Sequence, residues 1–327
     1  MVLCGNLDKS KPRSGSKPIL LWSCIFVGSG NRSNENTDHC IRVWKERDKL
    51  AESLGIELKL FVPRKLLRAS GIFPVIDFFE REKPDLILDC PGKREKGNEK
   101  VYDRRVAWPR DNFQMFGRNV CATPWDYDSM KALIGNLGLD LPLFHSALGE
   151  GGYGISTSQH FIFADLKWEA PGLDNVSKSG YGVYKLPVLG TPKEGMDKKE
   201  RKLFQRMKEN DHIDREVNCA ETPDGNMLLV ANQTYFFVFG SEVERIRKQS
   251  AAKLYVIPEH DEEGRAVNYL QFPTKDIIMP LGHPGLAAFL RRNTGKKRVH
   301  EIETFPDEIS PHIAGGGLRC RTNVIVT

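Results

Sequence analysis

Between Pro18 and Cys90 the chain alternates two kinds of segment, short unbroken apolar runs and longer stretches whose apolar residues recur every three or four positions. The runs "PILLWSCIFVG", "IELKLFV" and "DLILDC" read as strands, because an apolar run bounded by turn residues fits a strand covered on both faces. "DHCIRVWKERDKLAESLG", ending at Gly55, and "GIFPVIDFFEREK" read as amphipathic helices. Strand and helix taking turns is α/β texture, in which helices cover a sheet. From about Val101 onward strands are expected to dominate, with turns at "PDG" (223 to 225) and "EEG" (262 to 264) and a charged helix at "KKERKLFQRMKEN" (198 to 210). No fixed-period repeat, heptad array or linker divides the chain. The expectation is one α/β domain over residues 18 to 327, preceded by a polar flexible tail rich in Gly, Pro and Ser over residues 1 to 17.

Composition removes several classes of function. The 327 residues are 40% hydrophobic and 28% charged, enough to bury a sizeable core. The net charge of +5 is mildly basic, but the basic runs "GKREKGNEK" and "RRNTGKKR" carry no interleaved aromatics, so no nucleic-acid partner is expected. Seven scattered cysteines without a C-x-x-C pair argue against a disulfide framework and a zinc ribbon, and point to a reducing, cytoplasmic setting. The N-terminal apolar stretch is too short to span a bilayer, so no membrane association is expected. No phosphate-binding loop occurs and no histidines have ligand spacing, so the expected set of cofactors and metals is none.

Four stretches place reactive or charged residues beside permissive backbone. They are "WPRDNFQMFG" (108 to 117), "LGEGGYGIS" (148 to 156), "NDHIDREVNCAETPDGNMLLVA" (210 to 231) and the terminal "GGGLRCRTNVIVT" (315 to 327). Taken singly, each has an ordinary reading: a strand-edge loop, a glycine turn, a surface histidine beside an acid, a buried inert cysteine. In an extended segment, the period of two aims His212 and Asp214 at one face, and the "TPDG" turn makes a hairpin with that pair at its mouth.

In order, W-x-R-D, E-G-G, H-x-D and G-G-G-x-x-C resemble the guanidino-group modifying superfamily of arginine, agmatine and protein-arginine deiminases and amidinotransferases. "GLRC" is similar to the ending of arginine deiminases, "CRTNV" to that of protein-arginine deiminases and "WPRDN" to agmatine deiminases, so the signature is mixed as to substrate. The resemblance implies a pseudo-fivefold α/β propeller of ββαβ modules that point loops at a central site. It implies that Cys320, His212, Asp214 and Glu150 do the chemistry, and that Asp111, Asp214, Arg110 and Trp108 bind substrate. Cys320 lies then on an inner strand and not at a frayed end.

The residue types suit the chemistry. A guanidinium is a delocalised planar cation with a poorly electrophilic carbon, so attack on it needs rigid holding by carboxylates and a strong nucleophile. The resemblance implies a thiolate at Cys320 that attacks this carbon, while His212 protonates the departing ammonia and then activates water. The leading expectation is a hydrolytic deiminase of a small guanidino compound, giving a ureido product and ammonia. An amidinotransferase sharing the covalent intermediate is the alternative enzyme, and a non-catalytic ribosome- or RNA-binding protein of the same fold is the alternative outside catalysis. The partner expected is the guanidino substrate itself, with room left for a homo-oligomer.

Overall fold

The computed structural model describes residues 16–23, 34–62, 73–89, 109–124, 126–149, 151–165, 172–188, 197–198, 201, 212–258, 266–304, 318–319 and 322–327. These residues form a mixed α/β structure of five small separate sheets.

Each sheet follows one plan: two antiparallel strands, a helix, then a strand parallel to the second. β4 (Phe113–Phe116) and β5 (Asn119–Ala122) form a hairpin, α4 (Tyr127–Asn136) crosses over, and β6 (Leu143–His145) pairs parallel to β5. The plan recurs in β7 (Gly154–Ser156), β8 (His160–Asp165), α5 (Leu173–Lys178) and β9 (Gly182–Pro187). It recurs again in β10 (Val217–Glu221), β11 (Met227–Asn232), α6 (Gln233–Ser250) and β12 (Lys253–Ile257), and in β13 (Leu270–Gln271), β14 (Ile277–Pro280), α7 (Pro284–Thr294) and β15 (Val299–Ile302). The remaining unit joins the two ends of the chain: β16 (Thr322–Ile325) is antiparallel to β1 (Ile19–Ser23), and α1 (Asn34–Ser53) leads to β2 (Glu57–Val62), parallel to β1. That sheet gains β3 (Ile87–Asp89) after α2 (Phe73–Glu82). The Ser16 hydroxyl donates to the Thr327 carbonyl at 2.8 Å, and the Thr327 hydroxyl to the Lys17 carbonyl at 3.0 Å, so the described start of the chain is tied to its end.

The strands are short and apolar because both of their faces are covered. β1, β4, β10, β11 and β16 are buried along their whole length. α1 shows the helical counterpart: Cys40, Val43, Trp44, Arg47 and Ala51 make one buried stripe. On that stripe Trp44 meets Trp22 of β1 edge-on at 5.3 Å, and the Arg47 guanidinium lies 4.1 Å above the Trp22 ring.

After Val101 strands outnumber helices, as expected, but a helix completes each ββαβ unit there, and α6 and α7 in particular lie where no helix was anticipated. One expectation needs correcting. The H-x-D pair does not lie on an extended strand. His212 is extended, but Ile213–Arg215 forms a 3-10 turn before β10, so period-two geometry does not govern the pair. The hairpin itself is present, closing through Thr222–Asn226 with Gly225 at φ +84°. The "EEG" turn and most of the charged stretch 198 to 210 lie outside the described residues.

Candidate active site

The predicted motifs fall at one place in the repeated plan, the segment just before the first strand of a unit. Pro109–Asn112 is a short helix, α3, leading into β4. Gly151–Tyr153 precedes β7, the His212–Arg215 turn precedes β10, residues 266–269 precede β13, and Leu318 and Arg319 precede β16.

Hydrogen bonds link these five segments in a closed circuit. The Gly151 N–H donates to the Arg110 carbonyl at 3.1 Å and the Asp214 N–H to the Gly152 carbonyl at 3.4 Å. The Asn268 side-chain amide donates to the Asp214 carbonyl at 3.1 Å, and the Arg319 N–H donates to the Asn268 carbonyl at 3.1 Å. From β16, the Asn323 amide returns to the start of the circuit, donating to the carbonyls of Pro109 at 3.0 Å and Phe113 at 2.9 Å. Satisfied buried backbone groups of this kind fix loops that would otherwise move.

Within the circuit the side chains are tightly placed. His212 is half-buried and stands against Gly152 so closely that a Cβ there would lie 2.2 Å from its Nδ1. The ring of Tyr153 meets the imidazole edge-on at 5.2 Å. Asp214 is fully buried, with its Oδ2 3.5 Å from Nη1 of Arg319. Arg319 is buried as well, and its other terminal nitrogen donates to the Gly154 carbonyl at 3.3 Å. Arg110 is 6% exposed; it donates to Oδ1 of Asn323 at 3.3 Å and to Oε1 of Gln114 at 3.2 Å, while Gly151 packs against its backbone and side chain. Both arginines are therefore committed to the interior.

The first strands of all five units also line one cavity of about 350 Å³, through Met115, Ile155, Cys219, Leu270 and Val324 among others. Arg110 and Arg319, which belong to the motif segments, are part of its wall. Burial pushes the Cys219 thiol up to about 12, against the pull of the nearby Arg319 charge. Such a thiol is not a nucleophile at neutral pH.

Of the residues anticipated from sequence, His212, Asp214 and Arg110 are brought into this one circuit. Asp111 lies in α3, whose backbone joins the circuit, and nothing is described of its side chain. Trp108, Glu150 and Cys320 lie outside the described residues. Sequence reasoning missed Asn268 and Asn323, which close the circuit, and Arg319 as the partner of Asp214. The signal for Asn323 was present: "TNV" at β16 matches "VNC" at β10, where the Asn218 amide likewise donates to the carbonyls of Val267 and Tyr269 in the next unit. Among the described residues no group of three His, Cys, Asp or Glu side chains could hold a metal ion, and no helix is long and apolar enough to cross a membrane.

No protein-family model matches this sequence, and no curated protein does. Solved structures do. An agmatine deiminase from C. jejuni with substrate bound is 12% identical, with a TM-score of 0.55 over 97% of this chain and 96% of that one. An amidinotransferase of the saxitoxin biosynthetic pathway from Microseira wollei is 10% identical, with a TM-score of 0.53 over 97% and 96%. A dimethylarginine dimethylaminohydrolase captured as an adduct with 4-chloro-2-hydroxymethylpyridine is 14% identical, with a TM-score of 0.52 over 94% and 98%. At such low identity the likeness concerns the fold alone: this chain shares the fold of these three proteins.

Proposed function

We propose that this protein is a hydrolytic deiminase of a guanidino compound, with its five units closed into an α/β propeller and its active site at one end of the axis. The hydrogen-bond circuit is the observation that carries the reading. It joins the W-P-R-D-N, G-G, H-x-D and R-C-R-T-N stretches, distant in sequence, through backbone groups that any one turn alone would leave to water. A cavity lined by the first strand of every unit supports the ring arrangement.

In this mechanism the substrate guanidinium binds against Asp111 and Asp214, with Trp108 beside it and Glu150 as a further carboxylate. Arg110 acts as a positioning residue, holding α3 to β16. The Cys320 thiolate adds to the guanidinium carbon. His212 then gives a proton to the departing nitrogen, ammonia leaves, and a thiouronium remains on sulfur. The same imidazole takes a proton from water, which attacks the carbon; the C–S bond breaks, and the ureido product and thiolate are released. Gly152 and Tyr153 hold the imidazole in place for both transfers. Burial, which raises the Cys219 pKa, disfavours that thiol as the nucleophile. The fold is shared equally with an amidinotransferase, in which an amine would take the place of water, so the test includes an amine acceptor.

The test is incubation with free arginine, agmatine, other guanidino acids and an arginine peptide, each with and without glycine as acceptor, measuring ammonia, ureido product and transferred amidine. The reading predicts ammonia and ureido product in equal amounts from at least one compound, and loss of turnover on the order of 10⁶ in Cys320→Ser. No product from any compound with folded protein, or a tenth of the activity surviving in Cys320→Ser, would contradict it.

A further inference from the structure

The cavity between the five first strands is not used by the proposed chemistry. Its wall holds three cations, Arg110, Arg319 and Lys275, and among the described lining residues no aspartate or glutamate. The hydroxyl side chains of Ser156, Thr157 and Ser158 lie along one side, and the remainder is largely apolar. Lys275 is held by Glu221, and Arg110 by Gln114 and Asn323.

Two other polar groups in this wall are not satisfied. Among the described residues the buried Tyr269 hydroxyl has no hydrogen-bond partner, and Nη1 of Arg319 has none either, facing Asp214 only at ion-pair distance. The two residues are electrostatic neighbours, since the Arg319 charge acts on the Tyr269 phenol. A buried donor left without an acceptor is costly, so two in the wall of one cavity mark a place where an acceptor belongs. Guanidinium nitrogens can only donate, which excludes a cationic ligand. A cavity of about 350 Å³ whose wall combines polar groups with apolar side chains has the size of a small-molecule site.

The geometry points to a binding site for a small amphipathic carboxylate in this cavity, its oxygens accepting from Tyr269 and Arg319 and its hydrocarbon part lying against Ile155, Leu270 and Val324. None of His212, Asp214, Gly152 and Tyr153 is among the described residues that line the cavity, whereas Arg110 and Arg319 belong both to its wall and to the motif segments. The site's existence does not depend on the deiminase reading, because binding is measured without turnover. Arg319 is nonetheless shared: an anion bound to it competes with Asp214 for the same guanidinium.

Titration calorimetry of the full chain with sodium octanoate tests the site, with octanol and inorganic phosphate as the neutral and purely polar comparisons. Octanoate is expected to bind and to raise the melting temperature, with both comparisons at least about tenfold weaker. Tyr269→Phe keeps the ring and removes the donor, and is expected to weaken octanoate about tenfold or more. Val326→Trp, which crowds the cavity from a half-buried position, is expected to abolish binding. Circular dichroism verifies that each variant is folded. Absence of octanoate binding to the unaltered protein, equal binding of octanol or phosphate, or unchanged affinity in both folded variants would overturn the proposal.

Discussion

Gly152 shows what a single residue does for this site. In sequence, Gly151 and Gly152 read as an ordinary turn; in the structure Gly152 is the surface against which the His212 imidazole rests, and no side chain fits between them. That requirement was illegible because it comes from a contact between distant segments and not from backbone conformation. Gly152→Ala is therefore expected to displace the imidazole, lowering kcat at least about tenfold while costing about 1 to 3 kcal/mol of stability. Gly138→Ala is the control, since its Cβ meets nothing within 4 Å and only the positive φ of +64° resists it. Steady-state kinetics and urea unfolding of the two variants measure the difference; equal activity in both would show that His212 does not need its place against Gly152. The H-x-D motif singled out His212 and Asp214 in the sequence, and the structure brings both into the circuit; Cys320, singled out by its glycine run, lies outside the described residues.

At the scale of elements, the side-chain amides of the first strands do the stitching. Asn218 and Asn323 each bond the N–H of the following residue and reach the carbonyls of the next unit; Gln271 exchanges bonds with both backbone groups of Glu221. Asn323→Leu would remove the donor to the Pro109 and Phe113 carbonyls and the Oδ1 that accepts from Arg110. It is expected to cost about 2 to 4 kcal/mol in urea unfolding, and a loss below about 0.5 kcal/mol would contradict the stitching role.

The contact between β10 and the β13–β14 turn carries a pH dependence. Burial opposes ionisation of Glu221, yet hydrogen bonds from Lys275 and Ser158 and the Lys275 charge hold its pKa below the ordinary 4.5. Because the folded-state pKa is depressed, this stabilisation is present above the ordinary value and lost as pH falls through the lower folded one. Glu221→Gln is thus expected to flatten the fall in stability below about pH 5, measured by urea unfolding across that range; an unchanged slope would assign the acid sensitivity elsewhere. The early elements were legible because long apolar runs and a wide amphipathic stripe mark them. α6 was not, because its "TYFFVFG" opening combines aromatic and β-branched residues with a glycine, a strand-like composition that tertiary packing overrides.

For the whole molecule, the fivefold plan was hidden from sequence. Its units share strand order and hydrogen-bond roles but not residues, and one unit is divided between the two ends of the chain, so no period could be read. The ordered motifs made the architecture accessible only through resemblance, and the circuit from α3 to β16 gives them a common physical location. The central claim is that Cys320 faces a pocket built to hold a guanidinium. Its most direct measurement is limited alkylation with 2-chloroacetamidine, a planar cation, against 2-chloroacetamide, its neutral counterpart, followed by peptide mapping. Carboxylates that concentrate a cation over a thiolate predict selective labelling of Cys320 by the amidine, faster than by the amide and slowed by a true substrate. Cys40, Cys121 and Cys219 are buried and are predicted to stay unlabelled in the folded protein. Label spread evenly over several cysteines, or faster reaction of Cys320 with the neutral reagent, would contradict the account.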